Sequence, residues 1–250
     1  MLTWGALNII GASPEKREEI AQAQQEVAAV VDREITELGI EHNERGDRAK
    51  AFLYCLETRC PETGWMVPMA PSWAISKRQN VYAKLVPNYD AKCFDIEIVI
   101  NAKRDDLEKA DKGTYQNDKL VYELDGKIYQ TPLRTIRGDR RTQNIEDKPN
   151  SLRQWTSKDF KYHSDDIFRE RLYCIQWITK ETIQASRQDT YFAAISEADL
   201  EREDKVESLL RENLSVWQNE GLIPDMAIDP GAKTDEPIRT RGWRYWHHLF

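Results

Sequence analysis

Glycines never stand two positions apart in this chain, and no two prolines are adjacent. The first absence removes the Gly-x-Gly turn with which a dinucleotide or similar cofactor loop meets a helix N-terminus. No Gly-Lys-Ser or Gly-Lys-Thr occurs, which excludes the phosphate-binding loop, and no Gly-x-Ser-x-Gly elbow supports serine catalysis. Cysteine is scarce: Cys55, Cys60, Cys93 and Cys174 are too few to frame 250 residues with disulfides, and they fit a reducing cytoplasm. No apolar run approaches the ~18 residues of a membrane-spanning helix. The start, Met1–Ile10, is apolar but short and has neither a basic leader nor a small-residue cleavage site, so no signal peptide is expected. Cytoplasmic localisation without membrane association is the expectation.

What is present is enough apolar material for a core, 40% of residues, and an uneven set of charges beneath a net of −7. Residues 15–50 carry ten acids against six bases, and residues 195–237 twelve acids against four bases. Between them, residues 127–161 hold nine bases and four acids, and the last thirteen residues hold Arg239, Arg241 and Arg244 with no acid. A basic middle and end within an acidic chain suit a polyanion at one face; a solvated loop is the plain alternative.

Ser13-Pro14-Glu15 reads as a helix start, with Ile20, Val27, Val31, Ile35 and Leu38 recurring at helical spacing up to Gly39. The stripe is narrow, as in an arm or a helix pair. Short strands follow: Phe52–Glu57 and Trp65–Met69 about a Cys60–Gly64 hairpin tip, then Phe94–Ile100 with alternating polarity. Leu120–Leu124 and Lys127–Thr131 are joined by Asp125-Gly126, a dipeptide favoured in tight hairpins. Residues 138–165 have no pattern and read as a basic loop. Arg171–Thr179 and Thr190–Ile195 are expected as strands, and Ser196-Glu197-Ala198-Asp199 opens a helix running to Gly221. The expectation is an α+β fold: a long N-terminal helix, a small antiparallel sheet with ribbon-like hairpins and a C-terminal helix. Its regions would be a helical arm at 1–50, a β-rich part at 51–140, a basic linker at 141–165 and an α+β part at 166–250. Both ends are apolar, which suggests a partner surface or a longer protein.

Several clusters carry chemistry on residue type alone. Cys55-x4-Cys60 resembles half of a zinc knuckle, but the hairpin about Asp125-Gly126 offers no second pair of thiols, so no metal is expected. Nothing singles out one cysteine as a nucleophile. His247-His248 are adjacent and point apart, which favours packing or partner contact over joint ligation. Trp155, Phe160 and Tyr162 alternate with Arg153, Lys158 and Lys161, a mixture suited to stacking on bases and touching phosphates.

Arg48–Cys55 followed by Cys60-Pro61-Glu62-Thr63-Gly64-Trp65-Met66-Val67-Pro68 resembles the insertion of the large adenine-specific DNA methylases that carry a zinc-ribbon region. Ser72–Lys77, Asp165–Tyr173 and above all Thr240–Phe250 resemble the same family, over roughly residues 48–250. The resemblance implies methyl transfer from S-adenosylmethionine to adenine in DNA, in some members within bacterial anti-phage gene clusters. The family's Asp-Pro-Phe-x-Gly-x-Gly cofactor loop and its Asp-Pro-Pro-Tyr catalytic loop are both missing here. No catalytic residue and no S-adenosylmethionine site is therefore carried over, and the cofactor is expected only in the rest of such a methylase. Trp65, Tyr122 and Asp125 stand where thiols would be expected, so the insertion looks zinc-free. The expected role is a non-catalytic, DNA-positioning part of a methyltransferase, with DNA and the remaining methylase or another defence subunit as partners. The expected DNA contacts in the basic middle are Arg134, Arg137, Arg140 and Arg141, with Arg153, Trp155 and Lys158 beside them. At the end they are Arg239, Arg241 and Arg244. The alternatives are a protein–protein interaction module that touches no DNA and an enzyme whose site follows no known motif.

Overall fold

A computed structural model of the chain describes residues 5–140, 150–229, 231 and 234–249. The fold is α+β, with two long helices, a mixed seven-stranded sheet and a separate three-stranded antiparallel sheet. The first helix, α1 (Pro14–Leu38), starts where the Ser13 hydroxyl accepts a hydrogen bond from the Lys16 amide and ends at Gly39 in the left-handed conformation, φ 65°.

Ten strands follow. β1 (Arg48–Arg59), β2 (Met66–Met69), β3 (Ala74–Ser76), β4 (Val81–Asn88) and β5 (Cys93–Val99) precede the short helix α2 (Arg104–Ala110). Next come β6 (Tyr115–Gln116), β7 (Lys119–Leu124), β8 (Lys127–Pro132) and the one-turn helix α3 (Leu133–Arg137). Then follow β9 (Phe168–Ile178), β10 (Thr190–Ala194), the long helix α4 (Glu197–Asn219) and the short α5 (Asp235–Arg241).

The large sheet runs β10-β9-β1-β2-β5-β4-β3, and β6-β7-β8 form a meander. The small antiparallel sheet expected is present as β6-β7-β8; the larger sheet is mixed, with β2 and β5 parallel and in register at Met66 and Cys93. The β3–β4 excursion separates those two strands in sequence, and no local pattern records such a pairing. β9 pairs along β1 from Arg48/Ile178 to Thr58/Phe168, so strands from residues 51–140 and 166–250 share one sheet. Its apolar run, with Leu172, Tyr173, Cys174 and Ile175 consecutively buried, is what a central strand covered on both faces requires.

The main core joins the two sheets: Trp65, Val67, Phe94, Leu120, Tyr122, Leu124 and Phe168 meet Leu152, Trp155 and Tyr162. Residues 150–165 form neither helix nor strand, yet those three side chains are buried. A second cluster, Cys55, Trp73, Ala83, Tyr173 and Cys174, lies apart from it. α4 opens with a capping box, in which the Ser196 hydroxyl accepts from the Asp199 amide and the Asp199 carboxylate accepts from the Ser196 amide. Among the described residues no helix is long and apolar enough to cross a membrane.

Candidate nucleic-acid interface

A cleft of about 710 Å³ opens between the β6–β7 turn, α3 and α5. The turn is local chemistry: Asn117 and Asp118 both take positive φ, 50° and 58°, the mirror-image geometry of a two-residue hairpin. The Tyr115 hydroxyl donates to Asp118 Oδ1 at 2.6 Å, and the Leu133 amide donates to the Asp118 carbonyl at 2.9 Å. These bonds hold the start of α3 against the turn. Gly138, at φ 67°, stops α3 after one turn. Asn150 then donates both to Asp139 Oδ1, at 3.2 Å, and to the Arg239 carbonyl, at 2.6 Å, which ties α3 to α5.

Arg134, Arg137 and Arg241, three of the arginines expected to touch DNA, line this one cleft together with Lys119. Asp118 and Glu236 are the acids among its lining residues, leaving four bases against two acids. Arg137 is half-buried and held by Asp139 in a two-bond ion pair, at 3.1 and 2.8 Å. Arg134 is exposed, with its guanidinium available to solvent. The Tyr115 hydroxyl loses its proton less readily than an ordinary tyrosine chiefly because Asp118 accepts its hydrogen bond; Arg241 and Arg137 weakly oppose that shift. Arginines converging from two helices suit the non-bridging oxygens of phosphodiesters, which Arg grips with paired N–H groups.

The other expected contacts fall elsewhere. Arg140, Arg239 and Arg244 are exposed outside the cleft, and Arg141 lies outside the described residues. Lys158 is exposed on a separate shallow depression beside Asp159. Arg153 is turned inward: its Nε and Nη2 bond Asp166, each at 2.8 Å, and its Nη1 bonds Asp159 at 2.9 Å. Trp155 must be corrected from a base-stacking residue to a core residue. Its ring is 4% exposed and meets Tyr162, Trp243 and His248 edge-on, so neither face is open to a base. Burial divides the alternation of aromatic and basic residues: Trp155 and Tyr162 are inside, Phe160 is half-buried and Lys158 is outside. Lys119, which the sequence reading missed, carries no motif; only the β6–β7 turn brings it to α3.

The Cys60–Gly64 tip packs against the strands of the Asp125-Gly126 hairpin, not against its tip. Cys60 is fully buried, with its sulfur 3.6 Å from Thr131 Oγ1; Thr131 donates to Glu62 Oε1 at 3.0 Å, and Tyr122 and Thr63 share a hydroxyl hydrogen bond of 2.6 Å. Burial raises the Cys60 thiol, and hydrogen bonds from Tyr122 and the tip amides, with the Thr131 hydroxyl beside it, outweigh that, so the thiol ionises more easily than usual. Cys55 belongs to the other cluster, and its thiol is pushed up to about 12 chiefly by burial. The two cysteines therefore do not converge. Among the described residues no group of three His, Cys, Asp or Glu could hold a metal ion. His247 and His248 are buried and bond backbone carbonyls of Pro224, Asp159 and Thr156, which is a packing role.

No protein-family model matches the chain, and neither a curated protein nor a solved structure matches it.

Proposed function

We propose that this chain is a non-catalytic, DNA-positioning part of an S-adenosylmethionine-dependent adenine-specific DNA methyltransferase. The setting implied by the resemblance is bacterial phage defence. The observation that supports the reading most is the convergence of Arg134, Arg137 and Arg241 on one cleft. Arginines scattered over a hundred residues gain no packing benefit from sharing a groove, whereas a phosphate backbone rewards it. The chain has no Gly-x-Gly turn for the cofactor and no Asp-Pro-Pro-Tyr loop for the flipped adenine, so methyl transfer belongs to a core supplied by other residues. The hairpin around Cys60, with Trp65, Tyr122 and Asp125 where the resemblance would place thiols, fits a zinc-free form of the family's insertion.

Phosphate contact positions a duplex without reading its sequence, so binding is expected to be salt-dependent and tolerant of sequence. The test is fluorescence anisotropy with a mixed-sequence duplex at about 50 and about 200 mM salt, comparing the chain with Arg134→Ala/Arg137→Ala/Arg241→Ala. The triple variant should bind at least about tenfold more weakly and lose up to about three units of the salt slope, with circular dichroism unchanged. S-adenosylmethionine should have no effect on either protein. Equal affinity and equal slope in the folded variant would overturn the proposed face.

A further inference from the structure

The arginine cleft has a neighbour on the same face of the large sheet. Leu56 of β1 and Phe168 of β9 line the cleft, while Phe52 and Tyr54, with Glu170 and Leu172, line a second cavity of about 480 Å³. Tyr54 is paired with Leu172, Leu56 with Glu170 and Thr58 with Phe168, so the two rows run side by side and the cavity adjoins the cleft. The register shift between Leu53 and Tyr54 puts its extra residue, Tyr173, in β9, so Phe52, Tyr54 and Leu56 alternate along β1 without interruption. Opposite the sheet, Glu203, Val206 and Leu210 from one face of α4 wall the cavity. Phe52 and Tyr54 are 41% and 47% exposed, and among the described residues no other ring or cation packs on either.

Charge divides the two spaces. In the cavity Asp199 is paired with Arg202, Glu207 with Lys161 and His163 with Asp159, which leaves Arg169, Glu170 and Glu203 without an ion pair among the described residues. One cation against two carboxylates gives no grip on a phosphate, whereas the cleft next door has four bases against two acids. Carboxylates do accept hydrogen bonds from the exocyclic amines of bases, and open aromatic rings stack on base faces. Phe52 and Tyr54 stand about 7 Å apart along β1, roughly twice the ~3.4 Å rise between stacked bases of a duplex strand. Neighbouring bases can therefore take one ring each only when the strand is drawn out of its helix. We infer that the ligand of the arginine cleft is an unpaired DNA strand, with its phosphates on Arg134, Arg137 and Arg241 and its bases stacked on Tyr54 and Phe52 in the adjoining cavity. The inference rests on the proposed DNA contact at that cleft and names the form of DNA it takes.

Fluorescence anisotropy tests this on the full chain, with a mixed-sequence single strand of about 12 nucleotides and the duplex of the same sequence as probes. The single strand is expected to bind at least about tenfold more tightly than the duplex. Phe52→Leu/Tyr54→Leu, which keeps apolar volume and removes the rings, should weaken the single strand at least about tenfold and leave both the duplex affinity and the salt slope unchanged. The arginine triple variant should weaken both probes. A duplex bound as tightly as the single strand would overturn the inference and leave the arginine cleft as a duplex contact. So would a folded ring variant, checked by circular dichroism, that holds the single strand as well as the unaltered chain does. Failure of both probes to bind the unaltered chain would remove the cleft's DNA role as well. The comparison of the two probes needs no variant, so it decides the matter even where the ring substitutions disturb folding.

Discussion

His248 shows how much a single side chain can hold. Its Nδ1 accepts the amides of Arg244 and Tyr245 at 3.2 and 3.3 Å, which leaves Nε2 to donate to the Thr156 carbonyl at 3.1 Å. That arrangement needs a neutral ring, and burial, with the adjacent His247, pushes the pKa down to about 4. The folded chain therefore binds fewer protons than the unfolded chain between about pH 6.5 and about pH 4, and stability falls as pH drops through that window. The urea midpoint should decline from pH 7 to pH 5, and His248→Asn should flatten the decline while lowering stability at pH 7. An equal decline in the variant would place the acid sensitivity elsewhere. The adjacent histidines were legible in the sequence as packing or partner-contact residues, but their partners in the 156–159 loop were not, because those contacts span about ninety residues. Trp155 was misread for the same reason: composition shows which side chains neighbour one another along the chain, and burial is decided by what packs against them from afar.

Elements were the most legible scale. α1, α4, the Asp125-Gly126 hairpin and the alternating β5 all lie where capping residues, turn dipeptides and periodicity place them, because those signals act within a few residues. β4 and the one-turn α3 carry no such signal. Terminal contacts of elements are harder still. Gly242 closes α5 at φ 81°, and its carbonyl accepts the Trp155 amide at 2.9 Å. A Cβ at this position would stand 2.1 Å from the Arg153 carbonyl oxygen, a backbone atom that cannot turn aside. Gly242→Ala should therefore destabilise by more than the roughly 1 kcal/mol of an ordinary positive-φ glycine replacement, because the 152–155 segment must move off α5. A thermal melt checks this against Gly221→Ala, which has a similar φ of 73° and open space around its Cβ, and Gly242→Ala should show the larger loss. Equal losses would mean that the segment shifts freely.

At the scale of the whole molecule the central fact is that β9 fills the position between β1 and β10. Residues 1–165 without β9 would leave Phe52 of β1 beside an empty strand position and Trp73 without its Tyr173 contact, and should show no cooperative unfolding and little dispersion of amide resonances. A cooperative melt of that fragment would show that β1–β8 stand alone. The sequence by itself determined the fold class, the long helices with their caps, the hairpin tips and the uneven charge, because each depends on neighbours within a few residues. Only the tertiary structure decided that β2 and β5 run parallel, that Trp155 is core while Lys158 is surface, and that Arg134, Arg137 and Arg241 share one cleft. Each of those depends on contacts between residues tens of positions apart or more, and the pairing energy of such contacts is written in no single stretch of chain.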